Sequence, residues 1–491
     1  MCIKLDNQFT QFFPCKKGVR QGDPLSPTLF NIFLNDLFTE LKNGNCDPVT
    51  LENCDHRTEH DHEHEHDYFN ALAYADDIVL LSKSKEGLQK ALDITEKYCE
   101  KWRLTVNHSK TKSMVFSPGN QKIKTSFSIN GITLENVKEF KYLGITVHKK
   151  SCSFTPTLKN LKTKATRALY ALRAKININN LPIKVAFKLF DAIIKPILLY
   201  GSEVWEPFLN QDETKWDQNE VEKTYIHFLK QTLGVNRSTS NAMVRGELNR
   251  HSLQEEILRR NINYAGYIQQ KEGRPYVKEA FEYEMQRKVD STTFLTTMDR
   301  HTEDIYQLNG IFLPYANPYE NLWALNRQEQ KQVTHEVFQN KWKEVINQST
   351  KADTYRKLKS SMKFEQYLYH QNRKMRVNMT KLRLSDHKLM VEVGRHKRPF
   401  IPRPQRRCHM CAEEVEDETH FMTNCRLYGT QNRYWDVIYN KVPQIRTHSN
   451  TDRLVYIMTQ EDSELTNTIL KMNHEWMTFR KFLEDNFFNQ K

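Results

Sequence analysis

The sequence predicts an α+β chain, mixed in its first 150 residues and almost entirely helical after about Cys152. Three observations predict it. In the first 150 residues, apolar alternation, turn signals and short helical periodicities interleave. Beyond them, apolar residues recur every three or four positions. Glycine and proline number only 15 and 16 among 491 residues, which favours long helices joined by short turns. A chain of this length exceeds one ordinary domain of about 100–200 residues, so several units are expected.

The elements follow in order. A helix opens at Ser26 with Pro27 in its first turn, and Leu29, Phe33, Leu37 and Leu41 recur at i+4 beside Phe30, Leu34 and Phe38. From Asp55 to Asp67 five histidines, His56, His60, His62, His64 and His66, alternate with acids. Imidazoles in such a tract can hold transition metals, but a solvated loop expansion is the favoured reading, and it is assigned no function. Leu72 to Leu81 reads as two short apolar strands with Asp76 and Asp77 at the tip between them. A helix from about Glu86 to Arg103 places Leu88, Leu92, Thr95, Cys99 and Trp102 along one face. Phe127 to Leu134 is a strand, an Asn130-Gly131 turn and a second strand.

Further along, Thr157 to Ile176 carries Leu158, Leu161, Ala165, Leu169 and Leu172 on one face, with Lys159, Lys162, Lys164, Arg167, Arg173 and Lys175 elsewhere. No acid occurs from Phe154 to Leu189, so the polar face of this helix suits either a phosphate backbone or plain solvent. Helices are also predicted across Trp216–Leu233, ended by Gly234, and across Leu253–Gln270. Gly394 to Arg407 holds six Lys and Arg, three prolines and no acid, and reads as an extended cationic linker.

Composition narrows the function classes. Lys and Arg total 73 against 60 Asp and Glu, a net charge of +13 that is compatible with a polyanionic partner. Only 38% of residues are hydrophobic, yet 11% aromatics and regular apolar spacing argue for packed cores. No run of about 18 apolar residues exists, and the N-terminus is neither a cationic-then-apolar signal nor an Arg/Ser-rich transit segment, so membrane insertion and secretion are not expected. Nine cysteines, three of them clustered near Cys408, fit a reducing compartment with one local metal site. Cys408-x2-Cys411-x8-His420-x4-Cys425 supplies three thiolates and an imidazole, the donor set of a tetrahedral structural Zn²⁺. His409, between two ligand cysteines, is expected to be exposed rather than coordinating.

Asp76 and Asp77 carry the chemistry. A lone Asp-Asp in a turn is ordinary turn composition. Two adjacent carboxylates between buried strands are costly unless a cation neutralises them. The upstream segment Gly18-Val-Arg-Gln-Gly-Asp-Pro-Leu-Ser-Pro27, followed about fifty residues later by Tyr74-Ala-Asp-Asp77, strongly resembles the reverse transcriptases of non-LTR (LINE-type, jockey-like) retrotransposons. The resemblance continues through Leu104–Met114, Phe140–Ile145, Leu199–Trp205, Gly246–Arg250 and the Cys-rich motif, where Glu416 to Phe421 matches the usual context.

The resemblance implies an incomplete polymerase palm at 1–150, an antiparallel sheet with helices, interrupted by the insert at 52–67. A helical thumb at 151–205, a helical connection at 206–370, a basic linker with a zinc knuckle at 371–430 and a helical tail at 431–491 would follow. It implies RNA-templated DNA synthesis from deoxynucleoside triphosphates on an RNA template and DNA primer, inside the cell in nucleus or cytoplasm. Asp76 and Asp77 resemble the Mg²⁺-binding carboxylates, with Asp76 the likelier direct ligand. Arg20, Gln21, Gly22 and Tyr74 resemble the template and nucleotide contacts. Lys110 resembles the lysine near the leaving phosphates, with Lys112 as second choice. Tyr142-Leu143-Gly144 resembles the primer grip, and Lys159, Lys162, Arg167 and Arg173 fall where the thumb meets the duplex.

The sequence also departs from the family pattern. Members carry another metal-binding Asp on a first palm strand, in an apolar run leading to Ala-Phe-Asp, and this sequence begins after it. Asp6, within Lys4 to Phe9, reads as a turn residue and not a substitute. A two-metal site takes carboxylates from both sides, so poor or absent polymerisation is expected. The alternatives are a non-catalytic nucleic-acid-binding remnant and a metal-buffering scaffold built on the histidine tract.

Overall fold

The computed structural model describes residues 22–50, 68–116, 125–149, 153–205, 216–270, 325–429 and 433–488, with short pieces of 2–20 and 277–280. The insert at 52–67 and Gln21 lie outside the described residues. The chain divides into two compact units, Met1–Ser153 with Lys271–Lys288, and Phe154–Gln270 with Val289–Lys491. Short sheets accompany helices in the first, and helices dominate the second, so the mixed α+β class holds. Among the described helices none is long and apolar enough to cross a membrane.

In the first unit the strands are β1 (Lys4–Leu5), β2 (Gln8–Phe9), β3 (Val49–Thr50), β4 (Tyr68–Phe69), β5 (Ala71–Tyr74), β6 (Asp77–Leu80), β7 (Lys112–Ser113), β8 (Ser128–Ile129), β9 (Ile132–Thr133), β10 (Glu135–Asn136), β11 (Glu139–Tyr142) and β12 (Ile145–His148). They form two-stranded pairs, antiparallel except for β7 with β10. A two-stranded pair is marginal alone, so helix packing must hold each one. Helices α1 (Ser26–Asn43) and α2 (Lys85–Trp102) do this for the β5–β6 and β8–β9 hairpins. Leu34, Leu37 and Leu41 of α1 pack with Ala91 and Tyr98 of α2, and Ala71, Ile78 and Leu80 of the β5–β6 hairpin lie on that cluster. Tyr98 donates from Oη to the Phe33 carbonyl at 2.5 Å. A second cluster, Leu92 with Phe127, Ile129 and Leu134, seats the β8–β9 hairpin on α2.

The buried stripes are rotated from the sequence expectation. Leu29 is 46% exposed, and in α2 the buried positions are Gly87, Ala91, Leu92, Thr95 and Tyr98, with Trp102 39% exposed. The α1 stripe, a strict i+4 repeat, turns by about 40° per step and so drifts off the core within three steps, whereas α2 keeps Leu92 and Thr95 of the expected stripe buried.

The second unit begins with α3 (Thr155–Lys175), which runs beside α4 (Glu220–Leu233) in the same direction: Lys162 pairs with Glu220 near one end and Arg173 with Gln231 near the other. Helix α4 starts at Glu220 rather than Trp216 because the Asn219 side chain accepts from the Val221 amide and caps it. There follow α5 (Asn241–Leu248), α6 (Leu253–Gln270), α7 (Arg327–Gln348), α8 (Arg373–Arg383) and α9 (Ser463–Leu483). Phe190 stacks on Phe228 with centroids 4.2 Å apart.

The Gly246–Arg250 segment is the hub of this unit. A Cβ on Gly246 would stand 2.6 Å from the Trp342 ring and 2.7 Å from Tyr355 Oη, so only glycine lets α5 lie against them. Glu247 and Arg383 are both fully buried; Arg383 Nε donates to Glu247 Oε1 at 2.5 Å, and Tyr367 Oη donates to the same oxygen at 2.7 Å. Burial alone would raise the Glu247 carboxyl, but the Arg383 charge holds it below its usual range. Arg250 grips Asp191 with two bonds of 2.8 and 2.5 Å.

The cationic stretch 394–407 keeps Lys397, Arg398, Arg403 and Arg407 exposed but is tied into the fold at Arg406. Residues 373–383 are α8, Met390–His396 is a further helix, and Arg406 is 4% exposed, donating to the carbonyls of Val391 and Ile401 at 2.8 Å each. Charge and proline content suggested solvation, but guanidinium groups that find backbone acceptors can be folded in.

Two outcomes follow. Arg383→Ala leaves Glu247 buried without its cation and lowers the stability of the second unit by about 3–5 kcal/mol in urea unfolding. His251, bonded at 2.9 Å to His335, is pushed down to about 3, first by burial and then by His335 and nearby arginines. The unfolded histidine binds a proton near 6.5, so stability is full above that pH and falls as pH drops towards 3, by up to about 1.4 kcal/mol per pH unit. His251→Gln flattens this acid limb between pH 6.5 and 4.5, measured by unfolding at fixed pH values.

Candidate active site and metal centre

Asp76 and Asp77 stand at the end of the β5–β6 hairpin, with Tyr74 opposite Asp77 in register. The turn itself is Ala75-Asp76, and Asp77 opens the returning strand. Both carboxylates are exposed, as are Tyr74 (67%) and Leu72 (48%). The expected burial of both flanks is therefore corrected: only one face of the hairpin, through Ala71, Ile78 and Leu80, meets the core. Ala75 has φ 53°, a left-handed conformation that costs a non-glycine residue about 1–2 kcal/mol. The β11–β12 turn repeats the device with Leu143 at φ 45° and Gly144 at φ 86°. Strain of this kind gathers at sites that must hold a fixed shape.

Tyr142 precedes that second turn. Burial pushes its phenol up, and the Asp77 charge adds to the shift, which places the two groups within electrostatic reach. The loop from Arg20 to Leu25 is tied to the start of α1: Ser26 Oγ donates to the Arg20 carbonyl at 2.6 Å and the Leu25 amide to Asp23 Oδ1 at 2.9 Å. Arg20 and Gly22 are exposed. Gly22 has φ 87° with open space where a Cβ would stand, so backbone conformation requires the glycine. Helix α1 thus carries the loop at its N-terminus and the hairpin on its buried face.

Lys110 and Lys112 have different surroundings. Lys110 is exposed on a turn whose amide donates to Asn107 Oδ1 at 3.2 Å, whereas Lys112 pairs with Glu135 at 2.8 Å. Asp6 lies in the turn between β1 and β2 at φ 51°. On α3, Lys159 and Arg167 are exposed, but Lys162 is paired with Glu220 and Arg173 donates to Gln231, so those two point at α4.

In the second unit Cys408, Cys411, His420 and Cys425 place one donor atom each within 4.8 Å of one another. Cys408 Sγ and Cys425 Sγ are 3.9 Å apart, and Cys411 Sγ is 3.3 Å from His420 Nε2. A tetrahedron with Zn–S of about 2.3 Å has edges near 3.7 Å, so the donors have the spacing of such a site. The Met410 amide donates to Cys408 Sγ at 3.4 Å, and His420 Nδ1 is 3.0 Å from Glu414 Oε2, which orients the ring. Thiols packed so closely resist ionising: contact with Cys425 and burial push Cys408 up to about 12. Burial would lower His420, but contacts with Cys408 and Glu414 raise it to about 9. A bound cation would reverse both, since it takes thiolate and neutral imidazole. His409 is exposed.

Motif spacing does not reveal the supports of this cluster. Glu416 is buried, 3.5 Å from Cys408 Sγ, and paired with Arg480. Glu418 accepts from Ser385 at 3.0 Å and lies 2.9 Å from His387 Nε2. The acidic run before His420 therefore docks the ligand loop on the helices.

A family profile described as reverse transcriptase (RNA-dependent DNA polymerase) matches residues 1–147. The chain is 29% identical over 213 residues to an RNA-directed DNA polymerase from the mobile element jockey of Drosophila melanogaster, covering 41% of this chain and 21% of that protein. It is 24% identical over 271 residues to a probable RNA-directed DNA polymerase from transposon BS of the same fly, covering 54% and 27%. It is 30% identical over 195 residues to a retrovirus-related Pol polyprotein from type-1 retrotransposable element R2 of Popillia japonica, covering 38% and 28%. The chain thus spans only between a fifth and a third of the length of these relatives. The profile and these relatives agree: residues 1–147, which present Asp76 and Asp77, match the reverse transcriptase family, and the similar proteins are RNA-directed DNA polymerases and Pol polyproteins of mobile elements.

Proposed function

We propose that the first unit carries RNA-templated DNA synthesis by two-metal phosphoryl transfer, with an RNA template, a DNA primer and deoxynucleoside triphosphates. One observation carries the reading: two exposed carboxylates, Asp76 and Asp77, are held at a strained tip on the same helix that anchors the Arg20–Leu25 loop. Mg²⁺ prefers six oxygen ligands and keeps several waters, so two open carboxylates fit part of its shell and leave room for triphosphate oxygens. When bound, such ions activate the primer 3′ hydroxyl and neutralise charge on the departing pyrophosphate.

The chain's own groups do the positioning. Asp76 at the tip is the principal ligand and Asp77, fixed by the strand, the second. Arg20 offers an exposed guanidinium to the template or the incoming phosphates, beside the open space at Gly22. Gln21 belongs to the same loop. Tyr74 presents its ring next to the carboxylates and excludes water from one side. Lys110, unlike Lys112, keeps an exposed ammonium that offsets charge developing on the leaving group. Tyr142, Leu143 and Gly144 form the rigid turn that holds the primer end, and Lys159 and Arg167 of α3 contact duplex phosphates.

In the second unit Cys408, Cys411, His420 and Cys425 hold a structural Zn²⁺. The support is the donor set, its spacing, and the carboxylate on His420 Nδ1. A closed four-ligand site lends folding energy rather than catalysis.

Primer extension on an RNA template tests the polymerase reading and measures the impairment expected from the sequence. Asp76→Ala lowers extension by at least about 100-fold, because even partners of metal ligands cost 10–100-fold, while template–primer binding stays near wild type. Extension that survives the substitution defeats the reading. For the tail, the purified chain contains about one zinc per molecule, and Cys411→Ser loses it and unfolds at lower denaturant. A zinc-free wild-type chain overturns the assignment.

A further inference from the structure

The second unit satisfies its buried guanidinium groups with carboxylates almost everywhere. Arg245 pairs with Asp217 and Glu222, Arg250 with Asp191, Arg383 with Glu247, and Arg480 with Glu416. Around Gln231, near the end of α4, the pattern breaks. Arg173 of α3 donates to the Gln231 side-chain oxygen, and Arg373 of α8 reaches the Gln231 carbonyl at 3.5 Å. The Gln231 side-chain nitrogen is 2.8 Å from His227 Nε2. Arg376, 7% exposed, donates to the His370 carbonyl and lies close enough to Arg373 to feel its charge. Among the described residues no carboxylate pairs with Arg173, Arg373 or Arg376, and the charged groups acting on His227 are all cations. Arg406 also lacks a carboxylate, but it is closed off by carbonyls elsewhere.

We propose that Arg173 and Arg373, which meet at Gln231 where α3, α4 and α8 come together, form with Arg376 beside Arg373 a notch that binds a backbone phosphate of nucleic acid. Converging cations without a counter-charge repel one another and are costly to desolvate, and an anion removes both penalties. Forked guanidinium groups suit phosphate oxygens. The source is nucleic acid rather than free phosphate because α3 leads to the notch with exposed Lys159, Arg167 and Tyr170, a cationic track with an aromatic ring. Here α8, from the segment whose charge suggested a linker, completes a surface begun by α3. The notch rests on the nucleic-acid reading above and extends it from Arg173 to Arg373 and Arg376.

The test is binding of a short RNA–DNA hybrid by the full chain, by fluorescence anisotropy across a potassium chloride series, without nucleotides. Arg173→Gln/Arg373→Gln weakens binding at least about fivefold, irrespective of sequence, and makes the log K against log salt slope shallower by about one or more. Gln231→Glu supplies the missing carboxylate: its thermal midpoint equals or exceeds wild type while its affinity falls. Arg433→Gln, which removes an exposed arginine already paired with Glu475, leaves the slope unchanged. Inorganic phosphate at millimolar level competing fully with the hybrid would assign the notch to a free anion and overturn the proposal. Wild-type slope and affinity in both notch variants overturn it too, while the polymerase reading stands on the Asp76→Ala extension assay. A wild-type chain without salt-dependent binding removes the nucleic-acid reading and the notch together.

Discussion

The second unit depends on the buried ion pair between Glu247 and Arg383. Both side chains are fully out of solvent, and Arg383 is held by Glu247, by Glu365 at 3.1 Å and by the Met458 carbonyl. One guanidinium therefore joins α5, the 365–369 turn, α8 and the segment before α9. A charge at that depth is tolerated only when every donor is met, so the elements around it have one permitted arrangement. Gly246, one position earlier, admits Trp342 and Tyr355, and Arg250, three positions later, ties the same stretch to Asp191. The loop carrying Cys408, Cys411 and His420 is fastened by the same means, through Glu416 to Arg480 and Glu418 to His387.

The first unit works by another principle. Its strands are too short to be stable as a sheet, and the β5–β6 and β8–β9 hairpins borrow helix faces. What this allows is exposure: the Asp76–Asp77 tip and the Tyr142–Gly144 turn project from a packed base instead of being walled in. Each spends backbone strain, at Ala75 and at Leu143, to keep its shape. The Asp76–Asp77 tip is positioned by packing of residues that have no chemical role, such as Leu80 and Leu34.

Basic residues in this chain serve two purposes that sequence alone does not distinguish. Lys162, Arg173, Arg376 and Arg406 look like surface charge when written out, yet they face neighbouring helices or carbonyl groups. Lys159 and Arg167, on the same helix as the first two, remain in solvent. The difference lies in which partner helix lies alongside, and no local pattern near residue 162 announces Glu220.

The helices at 26–43, 155–175 and 253–270, the turns at Asn130-Gly131 and Gly234, and the cysteine and histidine spacing were all legible in the sequence, because each is set by contacts within a few residues. The motif carrying Asp76 and Asp77 was legible for a different reason: its residue types at fixed spacing form a written pattern within the segment that the family profile matches. The rotation of the α1 stripe, the burial of Arg406, the Glu416–Arg480 pair behind the cysteine cluster and the convergence on Gln231 were decided only by tertiary structure. Each depends on groups up to about 140 residues apart, and a charge or an apolar face acquires its meaning from whatever the fold places against it.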